Sequence, residues 1–262
     1  MSNATPLRSE LVVDGKRLEV ARFGGDPARA AVVLLHEGLG SVAMWRDFPD
    51  LLAARTARTV VAYSRWGYGA SEPLDGPRDI RYMHYEGEVV LPALLAELGL
   101  ERPVLFGHSD GASIALIAAG ARPGLAAALV LEAPHVFVED LSVSSIESAR
   151  ISFGATNLRE RLARYHNDPE GAFRGWNDVW LDPRFRDWNI EAYVDTVTCP
   201  VLVIQGDRDE YGTLEQVARI VRGSGAESLI VPGAGHSPHR DAPEAVLGRI
   251  AAFLDSHVRE GG

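Results

Sequence analysis

Six short runs of nearly unbroken apolar residues constrain this chain more than any other feature: AVVLL (31–35), TVVAY (59–63), PVLF (103–106), ALVL (128–131), PVLVI (200–204) and SLIV (228–231). A strand with one face in water alternates apolar and polar residues, whereas a strand covered on both faces does not. These runs therefore read as parallel strands, and amphipathic stretches long enough for helices separate most of them. Upstream, ELVVDGKRLEV alternates and turns at Asp14-Gly15, the pattern of a β-hairpin with a primed turn. Together they predict an α/β fold: a mostly parallel sheet with an N-terminal β-hairpin, flanked by helices.

The rhythm stops between Ala133 and Pro200, where no strand pattern appears but helical pieces around LRERLARY and GWNDVWLDPRFRDWNIEAY do. A structureless loop of that length does not suit a compact domain. The reading is therefore a core of residues 1–133 and 195–262, with 134–194 inserted as a helical cap over the C-terminal edge of the sheet. The final amphipathic stretch, Asp241 to Val258, predicts a helix capped by Asp241 with Glu244 in capping-box spacing.

Composition narrows the function classes. With 46% hydrophobic residues the chain can bury a large core, and a net charge of -10 disfavours nucleic acid and anionic membrane surfaces as partners. The N-terminal MSNATPLRSE lacks a basic-then-apolar signal pattern, and no apolar run reaches the length of a membrane span. A single cysteine, Cys199, leaves no intrachain disulfide and no cysteine-based zinc cage. The expectation is a cytoplasmic protein without metal or cofactor, and a homodimer is left open.

GHSDG (107–111) lies between the strand PVLF and a helical stretch, and G-x-S-x-G there is the pattern of a sharp strand-to-helix elbow. Chance supplies this pattern about once in six chains of such composition, and serine is also a favoured helix N-cap, so the motif needs partners. A serine hydroxyl needs a base to take its proton. His236, in the loop after the last strand, is the best-placed candidate, with His239 as its rival. His108 adjoins the serine but is expected to point away. His36, His84 and His135 are candidates for the pocket wall, with packing as the competing role. The base in turn needs an acid to orient it. QGDRDEYGT after PVLVI offers Asp209, Asp207 and Glu210; Asp209 sits where the loop turns back, and Asp207 reads as the turn's cap. Glu132, at the end of ALVLEAP, is the alternative acid. For the two donors that stabilise a developing oxyanion, the candidates are the backbone N–H of Asp110 and that of Gly38 in the loop HEGLGS.

These residues together resemble the α/β-hydrolase superfamily, in its small cofactor-independent branch of esterases, lactonases, thioesterases and C–C hydrolases. The resemblance implies Ser109 as nucleophile, Asp209 as acid, His236 as base, and the Gly38 and Asp110 amides as oxyanion hole. Three positions depart from the family pattern. Glu37 follows His36 where glycine is usual, Ser64 replaces the aspartate of a D-x-x-G-x-G-x-S turn in SRWGYGAS, and Asp110 stands where relatives often carry methionine or glutamine. The Asp110 carboxylate is expected to point away from the oxyanion. Glu37, His135, Trp176 and Trp180 are the candidate pocket residues, with Trp188 a further wall candidate. Arg150, Arg164 and Arg174 could attract an anionic substrate. The leading expectation is hydrolysis of a small-molecule carboxylic ester or lactone through an acyl-enzyme. C–C hydrolysis, thioester cleavage or a lyase reaction on the same groups is the second reading, and a non-catalytic binding protein the third.

Overall fold

The computed structural model describes residues 6–258, so the polar residues 1–5, on which the reading of a missing signal pattern partly rests, lie outside the described residues. The hairpin forms as β1 (Leu7–Val13) and β2 (Lys16–Phe23), with Asp14 and Gly15 both at positive φ as a primed turn requires. β3 (Val32–Leu35) leads through a loop and a single 3₁₀ turn to α1 (Phe48–Thr56), then β4 (Val60–Tyr63). α2 (Tyr82–Tyr85) runs through a π-helical turn, Glu86–Val90, into α3 (Leu91–Glu97). β5 (Val104–His108), α4 (Asp110–Ala121) and β6 (Ala128–Glu132) follow.

Between β6 and the next strand the chain is helical: α5 (Asp140–Ala155), α6 (Leu158–Leu162), α7 (Pro169–Trp180), a 3₁₀ turn Pro183–Asp187, and α8 (Glu191–Val194). β7 (Val201–Gly206), α9 (Leu214–Ser224), β8 (Glu227–Val231), α10 (Pro238–Asp241) and α11 (Pro243–His257) complete the chain.

All eight strands join one sheet in the order β1-β2-β4-β3-β5-β6-β7-β8. β2 pairs antiparallel with β1 and β4, and every later pairing is parallel. Five of the six apolar runs are explained by two cores, one on each face; the sixth, in edge strand β8, leaves Ser228 and Ile230 exposed, where no further strand of the sheet lies beyond it. Leu35, Leu105, Leu131 and Val203 face one, with α2 to α4, α9 and the helical segment; Leu34, Phe106, Val130 and Ile204 face the other, with α1 and α11. The α/β expectation thus holds in class and strand order of appearance.

One local expectation fails. The last helix begins at Pro243 behind Ala242, without a side-chain cap, because Asp241 ends α10 and its carboxylate accepts from the Gly235 amide at 2.8 Å. Asp241 therefore anchors the loop before the helix rather than the helix itself.

Phe106 is fully buried beside Trp45 and Phe48, with ring centroids 5.7 and 5.3 Å away. Phe106→Ala should lower unfolding free energy by about 3–5 kcal/mol in a denaturant titration. A loss under about 1 kcal/mol would show that this face is not tightly packed.

Candidate active site

Parallel strands bring their C-terminal ends to one edge of the sheet, the usual location of a site in open α/β folds. β5 ends at His108, and Ser109 turns the chain into α4 with φ 54° and ψ -118°, a backbone conformation rare for a residue with a side chain. The flanking glycines make this turn possible. A Cβ on Gly107 would lie 2.3 Å from the Gly111 carbonyl oxygen, and one on Gly111 would lie 2.0 Å from that of Leu35. The Ser109 hydroxyl does not cap the helix. It meets His236 Nε2 at 2.9 Å.

His236 follows β8 in a loop held by Glu210, whose carboxylate accepts from the His236 amide, and by the Asp241 bond to Gly235. Its Nδ1 lies 2.8 and 2.9 Å from the two oxygens of Asp209, so Nδ1–H donates and Nε2 is free to accept from Ser109. Asp209 also accepts from Gln205 Nε2 at 2.7 Å and from the Tyr211 amide at 2.8 Å. Burial works to raise its carboxyl, but the hydrogen bond and charge of His236, with the Tyr211 amide, hold it below the ordinary carboxylate range. A hydroxyl in such a chain can pass its proton to the ring as it attacks an electrophile. Glu132, the alternative acid, does not reach His236. Its two oxygens accept from the His239 amide at 2.7 Å and ring at 2.6 Å, both residues being buried. Asp207 joins the two loops by accepting from the Gly233 amide.

A cavity of about 180 Å³ opens over Ser109 and His236, lined also by Glu37, Gly38, Leu39, Asp110, His135, Ile146, Trp176, Trp180 and Tyr211. Larger concavities of about 630 and 670 Å³ elsewhere border neither Ser109 nor His236. The four candidate pocket residues are thus brought together at this cavity. Gly38 packs directly beneath Trp176, where a Cβ would come within 2.2 Å of the indole. Burial, then the neighbouring His236, pushes His135 down to about 3, so its ring is neutral. The Asp110 amide lies in the first turn of α4, where backbone N–H groups have no intrahelical acceptor.

The Asp110 carboxylate turns into a buried set of partners: Tyr82 Oη donates at 2.5 Å, Trp180 Nε1 at 3.2 Å, and Arg65 Nη2 lies 3.8 Å away. Burial raises its carboxyl, and these partners oppose the rise. Burial likewise works to raise Glu37, yet His108 and Arg240 hold it well below the usual range. Their closest contacts are 3.7 and 3.9 Å, ion pairs rather than hydrogen bonds. His108 itself turns from Ser109 and donates from Nε2 to the His236 carbonyl at 2.7 Å. Ser64, the second departure, accepts from the Val42 amide and donates to Glu19.

Other expected residues lie away from the cavity. Trp188 packs on Phe185 and Trp180, and His84 packs on Tyr193. His36 sits behind the loop, bonded to the Glu37 carbonyl and the Arg65 amide. Arg150, Arg164 and Arg174 are exposed and do not line it; Arg150 and Arg174 pair with Glu147 and Glu170. Tyr211, Leu39 and Ile146 escaped the sequence reading. Tyr211 was legible in principle, two positions after Asp209 in the same loop. Among the described residues His108, Glu132 and His239 bring candidate metal-ligand atoms within 4.8 Å of one another, but both Glu132 oxygens are already engaged by His239.

Known proteins resemble this chain in sequence and in fold. The chain is 26% identical over 270 residues, 96% of its length and 70% of the other's, to the dihydrolipoyllysine-residue acetyltransferase component of the acetoin cleaving system of Pseudomonas putida. It is 28% identical over 217 residues to the serine hydrolase BPHL of Mus musculus, covering 77% of this chain and 70% of that one. It shares the fold of the enol-lactonase from Burkholderia xenovorans LB400, with a TM-score of 0.74 at 19% identity over 94% of this chain and 100% of the other. A family model described as the alpha/beta hydrolase family matches residues 32–249. With that match spanning most of the sheet and both sides of the cavity, the chain belongs to the alpha/beta hydrolase family.

Proposed function

We propose that this protein is a serine hydrolase that cleaves a small carboxylic ester or lactone through an acyl-enzyme. The observation that carries the reading is the unbroken chain from Ser109 Oγ through His236 to Asp209, with contacts of 2.9 and 2.8 Å at the floor of the cavity. In this mechanism His236 takes the Ser109 proton as the hydroxyl attacks the carbonyl carbon. Asp209 holds the ring in the required tautomer and stabilises the imidazolium. The Gly38 and Asp110 amides receive the oxyanion. His236 then protonates the leaving alcohol and deprotonates the water that releases the acid.

The cavity itself supports a small neutral substrate. At about 180 Å³ it is smaller than a typical pocket for a drug-sized ligand. Its lining holds aromatic and aliphatic side chains and Glu37, with the Asp110 carboxylate turned into its buried partners, and no lysine or arginine. That composition favours an uncharged acyl group over a carboxylate-bearing one. Residues 134–194, read as a cap, contribute Ile146, Trp176 and Trp180 to the wall, so this segment would set acyl preference. The names of the relatives, one a serine hydrolase and one an enol-lactonase, support the same class of chemistry. The reading has the protein act in the cytoplasm on a small molecule, without nucleic acid, membrane or cofactor. Among the described residues no helix is long and apolar enough to cross a membrane.

A fluorophosphonate probe should label the wild type at Ser109 and leave Ser109→Ala unlabelled, as read by peptide mass mapping; modification at another residue would remove Ser109 from the nucleophile role. Asp209→Asn should reduce turnover of p-nitrophenyl esters roughly 10³–10⁴-fold, because the ring loses the partner that fixes its tautomer. Near-normal activity in that variant would refute the assignment of the acid.

The same carboxylate predicts a pH dependence of stability. Its folded-state pKa is depressed, so its contribution is present above the unfolded value of about 3.9 and is lost as pH falls through the folded value. Denaturant titrations should therefore find wild type more stable than Asp209→Asn at pH 7, with the gap narrowing below about pH 4. A gap that stays constant down to pH 3 would mean that the ionised carboxylate is not what stabilises the loop.

A further inference from the structure

Arg65 is a charged residue in the interior. Its side chain is fully buried, and Nε and Nη1 have no hydrogen-bond partner among the described residues. Burying a guanidinium is costly unless it is paired, and here the nearest carboxylate oxygen, on Asp110, is 3.8 Å away. Its one side-chain hydrogen bond runs from Nη2 to the Glu37 carbonyl oxygen at 2.9 Å.

That carbonyl belongs to the same peptide unit as the Gly38 N–H. A trans peptide holds its C=O and N–H on opposite sides of one rigid plane, and the chain has no cis peptide among the described residues. Fixing the carbonyl therefore fixes the direction of the amide. Two further donors reach the same oxygen: the Gly40 amide at 3.1 Å, and His36 Nδ1 at 2.7 Å, while His36 Nε2 accepts from the Arg65 backbone amide at 3.0 Å. The backbone N–H can only donate, so the ring proton must sit on Nδ1. Arg65 thus grips the Glu37–Gly38 peptide twice, directly through its guanidinium and indirectly by setting the His36 tautomer. Gly38 itself borders the cavity beneath Trp176.

We propose that Arg65 is a positioning residue for the oxyanion hole: it holds the Glu37–Gly38 peptide with its N–H toward the cavity, and its charge behind the carbonyl strengthens that N–H as a donor. The inference rests on the reading of Ser109 as nucleophile. It accounts for two departures from the family pattern at once. Glu37 brings a side chain into a loop that usually starts with glycine, and the clamp supplies the restraint that loop needs. Asp110 places a carboxylate beside the nucleophile, and the Arg65 cation offsets its charge. Polarising one end of a hydrogen-bonded peptide strengthens the other end.

An oxyanion donor acts in the transition state and not on bound substrate, so kcat should change while KM does not. Arg65→Met removes donor and charge; Arg65→Lys keeps the charge without the planar fork. Loss of a whole oxyanion donor costs roughly 10²–10³-fold in kcat, and misorienting one should cost about 10- to 100-fold. The expected result is therefore that fall for Arg65→Met on a p-nitrophenyl ester, with KM within about twofold and Arg65→Lys intermediate. Inhibition by a trifluoromethyl ketone, whose serine adduct carries the oxyanion, should weaken by the same factor. A folded Arg65→Met with wild-type kcat, a loss confined to KM, or unchanged ketone affinity would overturn the proposal. If Arg65→Met does not fold, the same readings on Arg65→Lys decide it. Ser109→Ala measured alongside separates the two readings. Turnover retained there overturns the serine assignment, whereas an inactive Ser109→Ala beside an unaffected Arg65 variant overturns this inference alone.

Discussion

The strained backbone at Ser109 is the constraint around which the site is organised. A residue with a side chain adopts φ 54° and ψ -118° only at a cost of about 1–3 kcal/mol, and keeps it only where neighbours over-determine it. Those neighbours are visible. β5 is locked between β3 and β6, the Ser109 amide donates to the Glu132 carbonyl, and the Ser109 carbonyl accepts from Ala112. Gly111 allows the helix to sit against the end of β3, and Gly107 allows it to start hard against β5, at distances no side chain would permit. The stability of a central parallel sheet is what holds one hydroxyl in a conformation it would not choose alone.

The loops around that hydroxyl are tied by carboxylates, each with its own histidine or amide. Asp209 orients His236, Glu132 fixes His239 below it, and Asp241 and Glu210 hold the amides of Gly235 and His236. Gly206, ending β7, lets the His236 loop approach closely: a Cβ there would fall 2.2 Å from the Gly235 carbonyl oxygen. A net acidic chain thus spends several of its carboxylates on local order at one edge of the sheet.

Strands β3 to β7 were legible because each is apolar and covered on both faces, and the hairpin because Asp14-Gly15 admits positive φ at both positions. The positions of Ser109, His236 and Asp209 were legible because each follows a strand end, where topology alone brings distant loops together. Side-chain partnerships were not. The fate of the Asp110 carboxylate depends on Tyr82 and Trp180, 28 and 70 positions away, and no periodicity links them. Asp241 was misread for a related reason: a carboxylate before a helix is a good cap, but the Gly235 amide competes for it and wins. The histidines divide in the same way, since choosing among His36, His84 and His135 requires knowing which ring faces the cavity.

The hydrogen bond from Trp180 to Asp110 has a consequence for how such a chain can diversify. It joins the last turn of α7 to the residue after Ser109. The helical segment is therefore not an interchangeable accessory. Grafting a different one onto this sheet, by recombination or by design, would remove one of the two side-chain hydrogen bonds that satisfy a buried carboxylate next to Ser109.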